Sequence, residues 1–251
     1  MDFTSFAIQD SVAIIRLKHG VINAINETLV SELDSLLAQT AHDRHIHSLV
    51  LTSSNNKFFS IGFDIPALYD LPKHDFKVFY QAFNRLCFAL YSWPKPTLAA
   101  LPGHAIAGGC ILALCCDYRL IANGRKLMGL NEIRLGVPVP YPADRILREI
   151  VGGRRASVIM ESGAFYSPEE ASTLGLVDQI ASIEELETVA IEKIRDIGTL
   201  SSSAFALIKQ NRVEPVIRHL TQVLEAKEEK FVECWYSPEA REHLAEALKK
   251  Y

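Results

Sequence analysis

Short apolar runs alternate along the first half of the chain with longer segments whose apolar residues recur every three or four positions. A short buried run is typical of a β-strand, and the longer spacing is typical of an amphipathic helix. The runs predict strands over Val12–Leu17, Ser48–Ser53, Thr97–Leu101 and Tyr118–Ala122, and the periodic segments predict helices over residues 26–37, 76–91 and 108–116. Because strands and helices alternate with short connections, this half of the chain is predicted to form an α/β core.

The second half of the chain has a mostly helical pattern. The sequence SPEE, which starts at Ser167, combines an N-cap residue, a proline in the first turn and a capping-box glutamate, and so predicts a helix start. Similar signatures begin at Ser182 and Ser237. The pattern changes near residue 195, so the chain is predicted to consist of a core, residues 1–195, and a C-terminal helical region, residues 196–251.

The composition is that of an ordinary globular protein, with 251 residues of which 49% are hydrophobic and 22% are charged. The formal net charge of −4 comes without a basic cluster, so no nucleic-acid partner is expected. No run approaches the roughly 20 apolar residues that span a bilayer, and the first residues lack a secretory signal pattern, so no membrane association is expected. The five cysteines lie mostly in apolar runs, which indicates the reduced core thiols of a cytoplasmic protein.

Three histidines, His42, His45 and His47, lie close together in a polar connection and could bind a metal ion. No cysteine and no pair of carboxylates completes a site beside them. The favoured interpretation is therefore that the chain binds no metal.

Two segments that contain glycine could present backbone N–H groups to a ligand. Gly62 lies between a strand and a helix, where positive φ or close backbone approach is often required, and such a turn can aim the Phe63 N–H at a ligand. Gly108 and Gly109 open a helix whose first N–H groups lack partners at the positive end of the dipole, which suits a developing oxyanion. A plain turn at Gly62 and tight helix packing at Gly108 are the alternative interpretations.

A carboxylate, Glu132, stands in the otherwise apolar segment GLNEIRLG, residues 129–136. It follows shortly after a strand-like run. Considered alone, the residue has a second interpretation as a surface or salt-bridged glutamate.

Three segments occur in order along the chain: FSIGFDI, GHAIAGGC followed by ALCCDYR, and GLNEIRLG. Together they resemble the crotonase (enoyl-CoA hydratase/isomerase) superfamily. NAIN at residues 23–26 looks like that family's early CoA-contacting segment, and SPEEASTLGLVDQI fits its later region, so the resemblance covers nearly the whole chain. It implies an α/β fold, a spiral of ββα turns with a C-terminal α-helical region that is used in homotrimers, which often pair into hexamers.

The resemblance also implies functions for residues at matching positions. The N–H groups of Phe63 and Gly108 would form an oxyanion hole, and Glu132 would be the catalytic acid–base group. An acyl-CoA thioester would be the substrate, with no separate cofactor because CoA is part of that substrate. The positions that match the family's substrate- and CoA-binding segments are Ala24, Ser60, Ile61, Gly62, Asp64 and Asn131.

One position narrows the reaction that the resemblance implies. The family's hydratases use two glutamates, and the position that matches the second is Ile111. Addition of water needs an activated water and a delivered proton, so the loss of one carboxylate disfavours hydration. A single carboxylate can still move a proton from C2 to C4 of a 3-enoyl thioester. The whole pattern is similar to that of the mitochondrial-type Δ3,Δ2-enoyl-CoA isomerases, so the predicted activity shifts a 3-enoyl-CoA double bond to the 2-trans position.

Alternatives remain open within and beyond this reaction. Hydration, thioester hydrolysis and decarboxylation occur on the same scaffold, and a non-catalytic RNA-binding member is a further alternative. Asp144 could supply a second acid, or it could cap the helix that begins there. The segment VPVP at residues 137–140 replaces a glycine-rich turn of the family and predicts a stiff pocket wall. Trp235 and Tyr236 could close a neighbouring pocket, although helix packing explains them as well.

Overall fold

A computed structural model describes residues 1–249 of the chain. The strands are β1 (Thr4–Gln9), β2 (Val12–Leu17), β3 (Ser48–Ser53), β4 (Phe58–Ser60), β5 (Thr97–Leu101), β6 (His104–Ile106), β7 (Tyr118–Ala122), β8 (Met128–Gly129) and β9 (Gln179–Ala181). The helices are α1 (Glu27–Ala41), α2 (Ile65–Leu68), α3 (Lys73–Tyr91), α4 (Gly108–Leu114), α5 (Tyr141–Val151), α6 (Gly153–Ser162), α7 (Pro168–Leu174), α8 (Leu186–Gly198), α9 (Ser202–Trp235) and α10 (Pro238–Leu248). A 3₁₀ turn covers Glu132–Leu135.

The strands form two sheets that the chain visits in turn. The larger sheet has the order β1-β2-β3-β5-β7-β9, and the smaller sheet has the order β4-β6-β8. The pairs are parallel except for β1, which is antiparallel to β2. In each of the successive pairs β3–β4, β5–β6 and β7–β8, the first strand enters the larger sheet, the second enters the smaller one, and helical structure follows. This repeated unit winds the chain into a spiral of ββα turns, which confirms the predicted fold class.

The four strands predicted from apolar runs, β2, β3, β5 and β7, occur at the predicted bounds. They lie in the centre of the larger sheet and are buried on both faces, with α8 packed on one face and the main core on the other. Burial on both faces explains why their sequences are continuous apolar runs rather than alternating patterns.

Helix starts follow the predicted capping signals at two of three places. At α7, the Ser167 side chain accepts the Glu170 N–H and the Glu170 side chain accepts the Ser167 N–H, a complete capping box. The Ser237 side chain caps α10 in the same position. The predicted start at Ser182 is wrong, because its side chain accepts the Glu185 N–H in a separate turn and α8 begins only at Leu186.

The C-terminal helical region folds onto the core of its own chain. The predicted boundary after residue 195 falls in the last turn of α8, and the region proper begins with α9. Helix α9 packs against α3 and α5, and α10 packs against α2 and the 3₁₀ turn. Residues 250 and 251 of the predicted region lie outside the described residues. The use of this region in a trimer stays a prediction.

Candidate active site

A cavity of about 400 Å³ lies where the smaller sheet, the N-terminus of α4 and the C-terminal helices meet. Apolar and aromatic side chains form most of its wall. The lining residues are Phe58, Ile61, Phe63, Ile65, His104, Ile106, Ala107, Gly108, Ile111, Leu127, Asn131, Glu132, Leu135, Val137, Pro140, Phe165, Phe231, Trp235 and Ala247. A largely apolar cavity with a few polar groups is typical of a site for a small molecule.

The backbone at Gly62 is fixed by hydrogen bonds on two sides. Its N–H donates to Ser60 Oγ (3.1 Å), and its carbonyl accepts from the Ile25 N–H (2.7 Å). Its φ is 99°, and a Cβ at this position would lie 2.9 Å from the Cβ of Ala107. Gly62 is therefore required both by its conformation and by the close approach of a second segment.

Phe63 lines the cavity, and its ring also packs against the core. The Asp64 N–H donates to the Ile25 carbonyl (2.9 Å), so the residues on either side of Phe63 are both bonded to the same neighbouring segment. The Phe63 ring packs edge-on against Phe79 and Phe83, with centroids 5.1 and 4.9 Å away. These contacts fix the orientation of the peptide group that carries the Phe63 N–H.

Gly108 is the first residue of α4, so its N–H has no acceptor within the helix. The preceding residue, Ala107, has φ 47° and ψ −121°, a strained conformation for a residue with a Cβ, and it orients the peptide that carries this N–H. A Cβ on Gly62 would lie 3.0 Å from the Gly108 nitrogen, so the two segments are in contact. The structure thus brings Phe63 and Gly108 together in the lining of one cavity.

Glu132 begins the 3₁₀ turn that follows β8, and it lines the same cavity. The residue is only 5% exposed, and its Oε2 has no hydrogen-bond partner among the described residues. Burial raises the pKa of this carboxyl group to about 8, although a hydrogen bond to its own backbone opposes the rise. A carboxyl group with such a pKa can accept and return a proton near neutral pH.

The two other positions considered for a second acid differ in their surroundings. Ile111 lines the cavity and is 1% exposed, so an apolar side chain occupies that part of the wall. Asp144 is not among the lining residues, and its carboxylate pairs with Arg148 one turn further along α5 (2.5 Å). It does not cap α5 either, since the N-cap residue of that helix is Pro140.

Two residues predicted to contact substrate, Ile61 and Asn131, line the cavity together with His104. Asn131 Oδ1 and His104 Nδ1 are buried without a hydrogen-bond partner in the part of the chain that the structure describes. Burial lowers the pKa of His104, and the positive charges of Lys126 and Lys57 lower it further. These unpaired polar atoms are the kind that a ligand would satisfy.

The other predicted contacts, Ala24, Ser60, Gly62 and Asp64, surround the Phe63 segment without lining the cavity. Ser60 Oγ donates to the Asn23 carbonyl (2.7 Å), and the Asp64 carboxylate accepts an N–H at the start of α2 (3.2 Å). These bonds support the local backbone. Contact between these four residues and CoA stays a prediction.

The C-terminal helices contribute three lining residues, Phe231 and Trp235 from α9 and Ala247 from α10. The sequence left a neighbouring pocket and helix packing open for Trp235. In the structure its ring stacks on Phe76 of α3, and it lines the cavity of its own chain. The signal in the sequence is the apolar stripe of α9, which ends on these aromatic residues. Helical spacing gives the face of a helix but not the element that this face covers.

His42, His45 and His47 are exposed, and no group of three or more His, Cys, Asp or Glu side chains within residues 1–249 is arranged to hold a metal ion. Over the same residues, no helix combines the length and apolar character that crossing a bilayer demands.

The fold and the cavity define the class of protein to which the chain belongs. The family model described as enoyl-CoA hydratase/isomerase matches residues 7–251. Because this match covers almost the whole chain, the chain belongs to the enoyl-CoA hydratase/isomerase family.

Proteins named as isomerases and proteins named as hydratases are both similar to the chain. "Enoyl-CoA delta isomerase 1, mitochondrial" of Homo sapiens is 28% identical over 222 residues, which cover 88% of this chain and 74% of that protein. "Probable enoyl-CoA hydratase" of Bacillus subtilis is 30% identical over 256 residues, covering 100% of this chain and 97% of that protein. The crystal structure of human mitochondrial delta3-delta2-enoyl-CoA isomerase matches with a TM-score of 0.95 at 25% identity, covering 99% of this chain and 97% of that one. Isomerases and hydratases thus occur at similar identity.

Proposed function

We propose that the chain is a Δ3,Δ2-enoyl-CoA isomerase, which shifts the double bond of a 3-enoyl-CoA to the 2-trans position. The observation that carries the proposal is that Glu132 is the one carboxylate among the described residues that line the cavity. It is supported by Ile111, a lining residue at the position that the family resemblance matches to the hydratases' second glutamate. One carboxylate can move a proton between two carbon atoms, whereas addition of water calls for a second acid–base group.

In the proposed mechanism Glu132 acts first as a base and then as an acid. A carboxylate oxygen takes a proton from C2, the electron pair of the C2–H bond enters the C1–C2 bond, and the thioester oxygen gains negative charge. The N–H groups of Phe63 and Gly108 donate to that oxygen and stabilise the dienolate. Glu132 then donates the same proton to C4, which leaves the double bond between C2 and C3 and regenerates the carboxylate.

The surroundings of Glu132 support its proposed role as the base that removes the C2 proton and the acid that returns it. With a pKa of about 8, its carboxylate is a stronger base than an exposed glutamate, which favours removal of the weakly acidic proton on C2. The apolar lining also limits competing solvation of the dienolate, so the two N–H donors act in a medium where hydrogen bonds are strong.

Replacement of Glu132 by Gln tests the proposal, because the amide keeps the size of the side chain but cannot transfer the proton. We expect the conversion of 3-hexenoyl-CoA to 2-hexenoyl-CoA to fall about 10²- to 10⁴-fold. Glu161→Gln is a matched control, since Glu161 is exposed and lies outside the cavity, and it should keep the parent rate. Full activity in Glu132→Gln would refute the proposal.

Hydration is a second candidate because relatives such as the Bacillus subtilis protein carry hydratase names. Measuring crotonyl-CoA hydration beside 3-hexenoyl-CoA isomerisation in the parent protein separates the two reactions. With one carboxylate in the cavity, we expect crotonyl-CoA hydration to be slower than isomerisation by about 100-fold or more. A hydration rate equal to the isomerisation rate would favour the second candidate.

A further inference from the structure

The cavity has a charged end and an aromatic end. His104 stands at the start of β6, where the positive charges of Lys57 and Lys126 act on it. Phe231 and Trp235 also line the cavity, and the Trp235 ring lies 6.4 Å from the ring of Phe63, which follows the far end of β4. The phosphates of CoA would lie near the lysines, so an acyl group would extend towards the aromatic end. This orientation rests on the proposed function.

The aromatic end is a close-packed wall of four rings contributed by α3 and α9. Tyr80 stacks on Phe231 with 4.0 Å between centroids, and Phe76 stacks on Trp235 with 4.3 Å. Phe231 and Trp235 are only 3% and 2% exposed. Because such packing leaves little free volume, these rings cannot move aside without disturbing their neighbours. We call these four residues the aromatic wall.

Hydrogen bonds hold α9 in place before and after its part of the aromatic wall. One turn earlier, the buried Glu228 carboxylate accepts from Gln81 Nε2 (3.0 Å) and Asn84 Nδ2 (2.9 Å) of α3. Directly after the wall, the Tyr236 hydroxyl donates to the Leu71 carbonyl (2.6 Å). Movement of α9 away from the cavity would leave these polar groups without partners, which is costly when they are buried.

We propose that the aromatic wall sets the length limit of the acyl group, so that the site accepts short- and medium-chain acyl-CoA thioesters and excludes long ones. Val137, Pro140 and Ala247 also line the cavity and add to its apolar surface. A methylene group that reaches apolar contact adds affinity, whereas one that meets the wall adds none. Phe231 and Trp235 are therefore specificity-determining residues that come from the same chain as Glu132.

The test is a series of saturated straight-chain acyl-CoA thioesters from four to sixteen carbons, whose dissociation constants are measured by isothermal titration calorimetry. Saturated chains cannot react, so binding is observed without turnover. We expect affinity to rise about fourfold for each added methylene that finds apolar contact. Beyond the limit, affinity should level off or fall.

Two variants move the limit in opposite directions. Phe231→Leu shortens the aromatic wall, so the chain that is two methylenes longer than the parent limit should bind about 15-fold more tightly, through two further methylenes in contact. Ala247→Leu adds bulk at a half-buried position and should shorten the accepted chain. Phe88→Leu is the matched control, because Phe88 lies on α3 outside the cavity. If circular dichroism shows that Phe231→Leu does not fold, Trp235→Phe, a smaller change in the same aromatic wall, carries the test and should also let longer chains bind.

Affinity that rises steadily to sixteen carbons in the parent protein would overturn the proposal, and so would a limit that neither variant moves. The binding series also separates this proposal from the proposed reaction. If the protein shows a length limit but no isomerase activity, the aromatic wall is supported and the proposed isomerisation is refuted. If it shows isomerase activity but no length limit, the isomerisation is supported and the role of the aromatic wall is refuted. Failure to bind any acyl-CoA would refute both.

Discussion

At the scale of single residues, the protonation of Glu132 links the site to the stability of the protein. The ordinary pKa of this carboxyl group is 4.5, and burial in the folded protein raises it to about 8. Between these pH values the folded protein holds a proton that the unfolded chain has lost. The free energy of unfolding therefore decreases as pH rises from about 4.5 to about 8, and above this range the group causes no further decrease.

Glu132→Gln should remove this pH-dependent loss of stability, because the amide is neutral at every pH in the range. We expect the variant to have a higher melting temperature than the parent protein at pH 9, with a smaller difference at pH 5. A pKa rise of this size corresponds to several kcal/mol at most, and each kcal/mol shifts the melting temperature of a protein of this size by roughly 2–4 °C. Differential scanning calorimetry at both pH values measures the effect.

The control for this experiment is the exposed carboxylate variant Glu161→Gln, which should leave the pH dependence of the melting temperature unchanged. A difference between Glu132→Gln and the parent protein that is equal at pH 5 and pH 9 would show that the Glu132 carboxyl group titrates normally.

The sequence identified Glu132 and Ile111 through their place in local motifs, and both line the cavity. It could not show that Glu132 Oε2 lacks a partner or that Asp144 pairs with Arg148, because these facts depend on the rotation of the 3₁₀ turn and of α5. A local pattern gives the chemical type of a group, whereas its surroundings come from elements distant in sequence.

At the scale of elements, the two glycines at the start of α4 serve different purposes. Gly108 lines the cavity, while a Cβ on Gly109 would lie 2.4 Å from the carbonyl oxygen of Ser60 in β4. The two interpretations of this segment from the sequence, an exposed N–H group and tight packing, therefore apply to neighbouring residues. Close packing of α4 against β4 positions the Gly108 N–H beside the Phe63 segment.

Gly109→Ala should separate α4 from β4, because no rotation of a methyl group relieves a 2.4 Å contact with backbone. We expect a loss of about 1–3 kcal/mol in the free energy of unfolding, as for other overpacked sites, and a larger relative loss of isomerase activity. Chemical denaturation and the 3-hexenoyl-CoA assay measure the two effects.

Gly153→Ala in α6 is the control, since the nearest atom to its added Cβ is a flexible arginine nitrogen 4.0 Å away. It should keep parent stability and activity. If Gly109→Ala retained both as well, the packing of α4 would not be what positions the Gly108 N–H for the proposed reaction.

Whether an element could be predicted depended on its length and burial. The four central strands have five or six residues each and are fully or almost fully buried, so they carry a strong apolar signal. Strands β4, β6 and β8 have two or three residues, too few for any periodicity. Hydrophobic periodicity therefore did not predict the smaller sheet that supports the cavity, although the sequence motifs around this sheet were recognised.

At the scale of the whole molecule, a buried ion pair joins the C-terminal region to the core. The Asp117 carboxylate accepts from the Thr97 N–H (2.9 Å) and hydroxyl (3.0 Å) in the larger sheet. It also pairs with Lys209 Nζ (2.8 Å) and with Arg212, both of α9. Burial lowers the pKa of Lys209, and the charge of Asp117 opposes this change. The pair thus holds the first half of α9 against the core.

Asp117→Asn should leave the Lys209 ammonium buried without its counter-charge, at a cost of about 3–5 kcal/mol. We expect a lower melting temperature and faster hydrogen exchange along α9. The double variant Asp117→Asn/Lys209→Met should recover much of the loss, because it removes the buried charge as well. If the double variant were no more stable than Asp117→Asn, the ion pair would not be what holds α9.

The cavity wall is assembled from residues that lie far apart in the order of synthesis. Phe58 and Ala247, at the two extremes of the lining, are about 190 positions apart. At a translation rate of roughly 5–20 residues per second, the ribosome adds the second about 10–40 s after the first. During that interval the apolar groups that will line the cavity have no covering helix. The nascent chain therefore exposes the apolar surface of its future cavity before the cavity is complete, and this is the period in which protection by a chaperone would matter most.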